Sequence, residues 1–289
     1  MTPRSLLFVP GDSDRKLARG ADSGADALII DLEDAVAADA KAAARVRASE
    51  FLRAHAGERS AQLWVRINPL DTAEAQADLA AVVAARPDGI VLPKTRSADD
   101  VIGLGQLLGA LEQRSEVAQG SIRILPVATE TPEAIFALGD FRRAGPRLLG
   151  MTWGAEDLSA AIGASANREA DGSWTQPYQL VRALCLFGAA AAGVPAIDTV
   201  YVALRDLAGL RAECAAARRD GFVGKLAIHP DQVAVINECF LPSAAELAHA
   251  ARVVALFAAN PGVAALSLDG RMIDIPHLRQ AQGILARAR

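Results

Sequence analysis

Eight short apolar runs, separated by Ala-rich stretches dotted with Arg and Glu, constrain this chain more than any other feature. They are Ser5 to Val9, Ala27 to Ile30, Leu63 to Ile67, Gly89 to Leu92, Ile122 to Val127, Leu148 to Trp153, Ala196 to Val200 and Lys225 to Ile228. Such alternation is the pattern of repeated βα units around a parallel sheet. Strands covered on both faces read as nearly continuous Val, Ile and Leu, and LLFV, ALII, GIVL and IRILPV do so. Helical stretches fall between the runs: Ser13 to Asp22, Ala37 to Ala54, Thr72 to Ala85, Ala98 to Gln113 and Asp206 to Arg219. In a chain of 289 residues, eight such units suit a closed (β/α)8 barrel, which needs roughly 250 residues. An open doubly wound sheet is disfavoured, because PGDSDR rather than GxGxxG follows the first run. The expectation is an α/β barrel over residues 1–240, with a C-terminal helical extension over 241–289 belonging to the same domain. Helices are expected from Asp231 to Glu238, from Pro242 and Ser243, and from Pro276 after a Gly-punctuated turn; the extension reads as a lid or an oligomerisation arm.

Composition excludes several classes of function. The 34 acidic and 30 basic residues leave a formal charge of −4 with no basic run, which lacks the electrostatic footprint of a nucleic-acid binder. Cys185, Cys214 and Cys239 are odd in number and far apart, against a disulfide framework or a CxxC metal site. A reducing cytoplasm is the simplest setting. No signal-peptide pattern opens the chain. The long uncharged stretch Ala183 to Ile197 is interrupted by Gly188, Gly193 and Pro195 and falls short of the roughly 18 residues of a membrane span.

In a parallel barrel the loops after the strands carry the site, so the strand ends are where chemistry is read. Here they carry Asp31, Glu33 and Asp34; Arg66 and Asn68; Lys94; Glu130; Glu156 and Asp157; Asp198; and His229. Carboxylates converging with an arginine and a lysine can bind a metal ion and an anionic substrate together. Each has a plainer reading. Glu130, Glu156 and Asp157 could simply favour helix N-termini. Arg66 could be a structural salt bridge, although its fork also suits carboxylate recognition. Lys94 is read as pairing with Asp31 or Glu33 to hold the loops, in preference to a Schiff base. His229 is read as a satisfied rim histidine. One carboxylate from each of two strand ends suits Mg2+, and no His or Cys cluster speaks for zinc.

These pieces resemble the citrate lyase β-subunit-like family, within the superfamily of malyl-CoA lyases and HpcH/HpaI aldolases. The resemblance runs nearly end to end through RSLLFVPG (4–11), GADALIIDLEDAV (24–36), VRIN (65–68), GIVLPK (89–94), GAEDL (154–158), GFVGKLAIHP (221–230) and DGRMIDIP (269–276). It implies a TIM barrel and a Mg2+ ion, replaceable by Mn2+, held by Glu130 and Asp157. It implies that Arg66 holds the thioester oxygen and the developing enolate. It implies that Asp274, otherwise read as a turn or helix-capping aspartate, is a catalytic group delivered by a neighbouring subunit of a homotrimer or its multiple. Arg15 and Lys16 lie where relatives bind the CoA phosphates, or are solvated helix charges. Relatives read IET followed by a small residue and Gly, where this chain reads ATETPEA.

The implied reaction is cleavage of a carboxylated 3-hydroxyacyl-CoA, of the malyl-CoA or citramalyl-CoA type, to acetyl-CoA and a 2-oxo acid. Its rivals are a citrate lyase β subunit acting on an acyl-carrier-protein thioester in a multi-subunit complex, an aldolase of free 2-oxo acids, and a barrel that has lost catalysis. MIDIP in the long extension disfavours the second rival. Intact Arg66, Glu130, Asp157 and Asp274 argue against the third.

Overall fold

All eight apolar runs form parallel strands in the computed structural model, which describes residues 2–57 and 60–288. They are β1 (Ser5–Pro10), β2 (Ala27–Asp31), β3 (Gln62–Arg66), β4 (Gly89–Leu92), β5 (Arg123–Pro126), β6 (Met151–Thr152), β7 (Ala196–Asp198) and β8 (Gly224–Ala227). The ladder runs β5-β4-β3-β2-β1-β8-β7-β6. Its two end strands meet through the parallel bridges Ile124↔Leu148 and Val127↔Thr152. There the Leu149 N–H donates to the Ile124 carbonyl at 2.9 Å and the Ala128 N–H to the Thr152 carbonyl at 2.8 Å. The sheet therefore closes into a (β/α)8 barrel.

Between the strands lie α1 (Asp14–Ala21), α2 (Lys41–Ala54), α3 (Ala73–Val82), α4 (Ala98–Arg114), α5 (Pro132–Ala137), α6 (Glu156–Ile162), α7 (Gln176–Ala191) and α8 (Leu207–Asp220), and α9 (Pro230–Cys239) follows β8. Ser13, Thr72, Ser97, Thr131 and Asp206 cap α1, α3, α4, α5 and α8, each accepting a backbone N–H of the first turn. These caps satisfy orphan donors and fix where each strand-to-helix loop ends.

The two-residue pleat sorts side chains between the barrel interior and the helix layer. Leu6, Ala27, Ile29, Trp64, Val91, Leu125, Val127, Ile197 and Leu226 form the interior cluster. Trp64 fits there because its ladder partner is Gly89. A Cβ at Gly89 would stand 2.1 Å from the indole ring. Such overpacking costs about 1–3 kcal/mol.

The chain divides into two compact units, Met1–Asn237 and Glu238–Arg289. The second holds α10 (Ala244–Ala259), the antiparallel hairpin of β9 (Ala265–Leu268) and β10 (Arg271–Asp274), and α11 (Ile275–Ala286). Asp269 and Gly270 make its turn with φ of 52° and 76°, the two positive values that a two-residue type I′ hairpin requires. Ala250, Val253, Phe257, Ile273 and Ala281 form its core. Residues 230–259 are apolar enough in aggregate to match a membrane span. Pro242 and the capping box of Ser243 with Glu246 split that stretch into helices of 10 and 16 residues, each short of the roughly 20 needed to cross a bilayer.

Candidate active site

Ladder register brings the first two charges together. Asp31 and Arg66 end β2 and β3 and are direct partners. Arg66 Nε donates to Asp31 Oδ1 at 2.8 Å and Nη2 to Oδ2 at 2.6 Å, a bidentate fork. Nη1 lies 3.0 Å from Glu33 Oε2, and the guanidinium carbon stands 4.6 Å from the Phe8 ring centroid. Asp31 also accepts the N–H groups of Glu33 and Ala35, which pins the loop that carries Glu33. Burial would lower the pKa of Arg66, but the hydrogen bond with Asp31 and the fields of Asp31, Glu33 and Glu130 outweigh it. The guanidinium is thus permanently charged and cannot rotate freely.

Lys94 links the remaining loops. Its backbone is left-handed, φ 49°, a conformation that costs a non-glycine residue about 1–3 kcal/mol. The Lys94 N–H donates to Glu130 Oε2 at 2.5 Å. Its ammonium donates to Glu33 Oε1 at 2.5 Å and lies 3.2 Å from Asp157 Oδ1 and 3.5 Å from Asp34 Oδ2. Burial works against this ammonium, yet Glu33, Asp157 and Glu130 raise its pKa on balance. Burial also pushes the Glu33 carboxyl up, with Arg66 and Lys94 opposing.

Glu130 is 6% exposed. Burial drives its carboxyl up to about 8; the Lys94 N–H pulls the other way, and the charges of Asp157 and Glu33 push it further up. Gly154 makes room for this carboxyl, since a Cβ there would lie 2.7 Å from Glu130 Cγ and 3.0 Å from Oε1. Of the neighbouring acids in the first turn of α6, Glu156 is exposed and accepts from Asn167 Nδ2 at 3.0 Å. Asp157 is the one that meets Lys94 and whose field reaches Glu130.

A cavity of about 440 Å³ opens here, with Asp31, Arg66, Glu130 and Asp157 in its polar lining and Phe8, Val127, Trp153 and Leu226 in its apolar lining. The residues fit a hard divalent cation. A buried carboxylate short of compensating charge beside a second carboxylate is relieved by such an ion, and Mg2+ takes one or two protein carboxylates with water or substrate oxygens completing its shell. Among the described residues no three His, Cys, Asp or Glu side chains group closely enough to hold an ion by themselves.

Other residues at the strand ends are placed elsewhere. Asp198 does not converge on the mouth, which corrects the reading of its strand end: it is wholly buried, bonded to Lys225 Nζ at 2.8 Å and to Trp153 Nε1 at 2.8 Å. Its ladder partner is Lys225, and both alternate with the interior residues Ile197 and Leu226, so the pleat turns them outward. Asn68 is likewise structural, donating to Asp78 and the Leu32 carbonyl and accepting from Lys41. At the start of α9, His229 accepts the Asp231 N–H through Nδ1 at 3.2 Å. Arg15 and Lys16 are exposed in the first turn of α1, where Lys16 Nζ stands 3.9 Å from Asp12. Asp274 belongs to the second unit and is the N-cap of α11, with Oδ1 2.5 Å from His277 Nδ1. Sequence reasoning gave no role to the Asp31 fork on Arg66, the left-handed backbone of Lys94 or Trp153, while the pairing it expected of Lys94 with Asp31 or Glu33 is made with Glu33. The first had a readable signal, because Asp31 and Arg66 end adjacent strands with the same pleat parity.

Fold and site together define a (β/α)8-barrel enzyme with a carboxylate-bearing mouth. The chain belongs to the HpcH/HpaI aldolase/citrate lyase family, whose model matches residues 4–230. That is a family of carbon–carbon lyases. A (3S)-malyl-CoA thioesterase of Cereibacter sphaeroides strain KD131 is 37% identical over 290 residues, covering 99% of this chain and 94% of the relative. Citrate lyase subunit beta of Escherichia coli K12 is 36% identical over 291 residues, covering 99% and 93%. Among solved structures, CitE of Mycobacterium tuberculosis in complex with magnesium, acetoacetate and coenzyme A matches with a TM-score of 0.79 and 34% identity over 99% of this chain and 97% of that one.

Proposed function

We propose that the chain cleaves, and in reverse forms, a carboxylated 3-hydroxyacyl-CoA such as malyl-CoA or citramalyl-CoA, giving acetyl-CoA and a 2-oxo acid with the help of Mg2+. The observation that carries this reading is the buried, under-compensated carboxyl of Glu130 with Asp157 and the fixed cation Arg66 beside the same cavity. The magnesium, acetoacetate and coenzyme A bound by the Mycobacterium tuberculosis neighbour support the same ligand chemistry. Glu130 and Asp157 would hold the ion, which supplies Lewis-acid charge to the oxygens of the oxo acid; Mn2+ would substitute.

Asp31 and Glu33 occupy three N–H directions of Arg66. The others remain for the thioester oxygen, where negative charge develops as the enolate forms. Donors fixed in advance of that charge make the strongest electrostatic contribution to such a step. Asp274 would exchange the proton at the enolate carbon. The hydrogen bond from His277 holds its carboxyl below the ordinary range. It is therefore ionised at neutral pH, which suits the base needed for condensation. We place Asp274 at the mouth of a neighbouring subunit, in a trimer or a multiple of it, and Arg15 and Lys16 on the CoA phosphates.

Purified chain should cleave a free CoA ester with Mg2+, lose turnover in EDTA and regain it on adding Mg2+ or Mn2+. Mixed oligomers of Asp274→Asn and Glu130→Gln chains should recover part of the rate; no recovery in verified mixed oligomers would move the acid to each barrel's own chain. Resemblance to citrate lyase subunit beta favours a second reading, action on a citryl thioester of an acyl-carrier protein. Turnover only with the carrier thioester, and none with free CoA esters, would select it.

A further inference from the structure

Glu130 and Asp157 are read above as the ligands of Mg2+, and on that reading the fold already supplies a cation to both. The side-chain cations Arg66 and Lys94 divide the carboxylates of the mouth between them. Arg66 is committed to Asp31, through two hydrogen bonds, and to Glu33. Lys94 serves the rest. Its N–H donates to Glu130 Oε2 at 2.5 Å, and its ammonium lies 3.2 Å from Asp157 Oδ1. The two contacts come from opposite ends of one residue, so a single backbone conformation sets both.

That conformation is left-handed, φ 49°. Glycine adopts it freely, whereas a lysine is strained there and persists only where its surroundings hold it. What glycine would lack is the ammonium, which reaches three loops from this one position. The ammonium also has somewhere to go. Glu33 Oε1 holds it at 2.5 Å, and Asp34 Oδ2, on a side chain 61% exposed, stands 3.5 Å away. Releasing Asp157 therefore leaves the charge paired and close to solvent, without the heavy penalty of a stranded buried ion. Asp157 itself is 32% exposed and lines the mouth cavity, so a hydrated cation can reach the oxygen that Lys94 faces.

We propose that Lys94 is a placeholder cation: its ammonium holds Asp157 in position for the divalent ion and is displaced from that carboxylate when Mg2+ binds. It touches the ion's ligands and acts through them, so it is a positioning residue. Its charge works with opposite signs on two quantities, because a lysine steadies a crowd of carboxylates but repels a divalent ion brought among them. Removing the charge weakens the metal-free fold and tightens the ion. A lysine that only braced the loops would, on removal, weaken both.

The probe is Mg2+ alone, titrated calorimetrically into EDTA-treated and dialysed Lys94→Met protein, with thermal melts of the same metal-free samples. This variant keeps the backbone N–H and a long apolar stem and loses the charge. Its Kd for Mg2+ should fall by about tenfold, while its metal-free melting temperature drops by about 2 °C or more. Lys94→Arg, which keeps a cation, should return both quantities toward wild type. If wild type binds Mg2+ and Lys94→Met binds it equally or more weakly, the proposal is overturned and the ion's site still stands. Should Lys94→Met fail to fold, wild type decides. Mg2+ should raise the rate at which acetic anhydride labels Lys94, read by peptide mass spectrometry, and a rate unchanged or lowered would overturn the proposal. Wild type that binds no Mg2+, or binds it no better than Glu130→Gln, is the failure of the metal reading itself, and the placeholder falls with it.

Discussion

Glu130 and Asp198 are both carboxylates withdrawn from water beyond or at the ends of barrel strands, yet their surroundings treat them oppositely. Burial pushes each carboxyl up. At Asp198 the charges of Lys225 and Arg182 and the hydrogen bonds from Lys225 and Trp153 reverse that push, and the carboxyl ends below its ordinary range. Lys225 is pulled down by its own burial and raised on balance by Asp198 and Glu213. Glu130 accepts the Lys94 N–H, and although the Lys94 charge also lowers its pKa, burial and the fields of Asp157 and Glu33 outweigh both and it ends near 8. A buried carboxylate whose charge is matched within the fold is architecture. One left unmatched beside a cavity is a candidate for holding a cation.

The largest effects should come from neutralising each carboxylate in turn. Glu130→Gln should lower Mg2+-dependent turnover by at least about a thousandfold while leaving the melting temperature of metal-free protein unchanged or raised. Asp198→Asn should destabilise the fold by about 3–5 kcal/mol, because Lys225 keeps its buried charge without its ladder partner. Denaturant unfolding and steady-state rates on both variants would break the comparison if the two phenotypes were exchanged.

Next in size is Arg66→Lys, which keeps a cation but loses the fork on Asp31. Its kcat should fall by about a hundredfold with the Mg2+ affinity little changed; an unaffected kcat would assign Arg66 to loop structure alone. Asp157→Asn should weaken Mg2+ binding by at least about tenfold, measured by calorimetry, with Glu156→Gln close to wild type. The reverse order would show that the exposed neighbour carries the ion.

The smallest effect is graded with pH. With its folded-state pKa near 8, Glu130 binds a proton that unfolded chain has lost above its ordinary value. Metal-free protein should therefore lose stability as pH rises from roughly 4.5 toward 8, the sign expected when the native state holds the extra proton. Mg2+ must displace that proton, so its affinity should fall by about tenfold for each pH unit below 8. Thermal melts with EDTA and with Mg2+ should diverge as pH increases; parallel curves would mean that Glu130 does not hold the ion.

Much of the barrel could be read from the chain because buried parallel strands announce themselves as apolar runs. The run ALII became β2 together with the Asp31 that follows it, every residue buried. Leu148 to Trp153 kept regular pairing only at Met151–Thr152. Gly150 sits so close to the Pro195 carbonyl that a Cβ there would be 2.8 Å from it, and Pro195 has no N–H to extend the ladder. The hairpin of the second unit went unread although Asp269–Gly270 between LSL and RMI carried its signal. At the site, Arg66, Glu130 and Asp157 were visible as polar residues where strands stop. Asp198 and Asn68 looked the same from sequence, and a linear reading that ignores pleat parity cannot separate them.

By itself, then, the sequence determined the βα alternation, the closure number of the sheet and the inventory of charges at its rim, because periodicity and strand-end position are local properties. Which charges are matched is not local. The Asp31–Arg66 fork depends on the register of two strands, Lys94 reaches Glu33 and Asp157 across two loops, and Glu130 fits only against Gly154. Only barrel closure sets those distances, and because charge interactions strengthen steeply as water is excluded, closure also decided which carboxylate is matched within the fold and which is left unmatched.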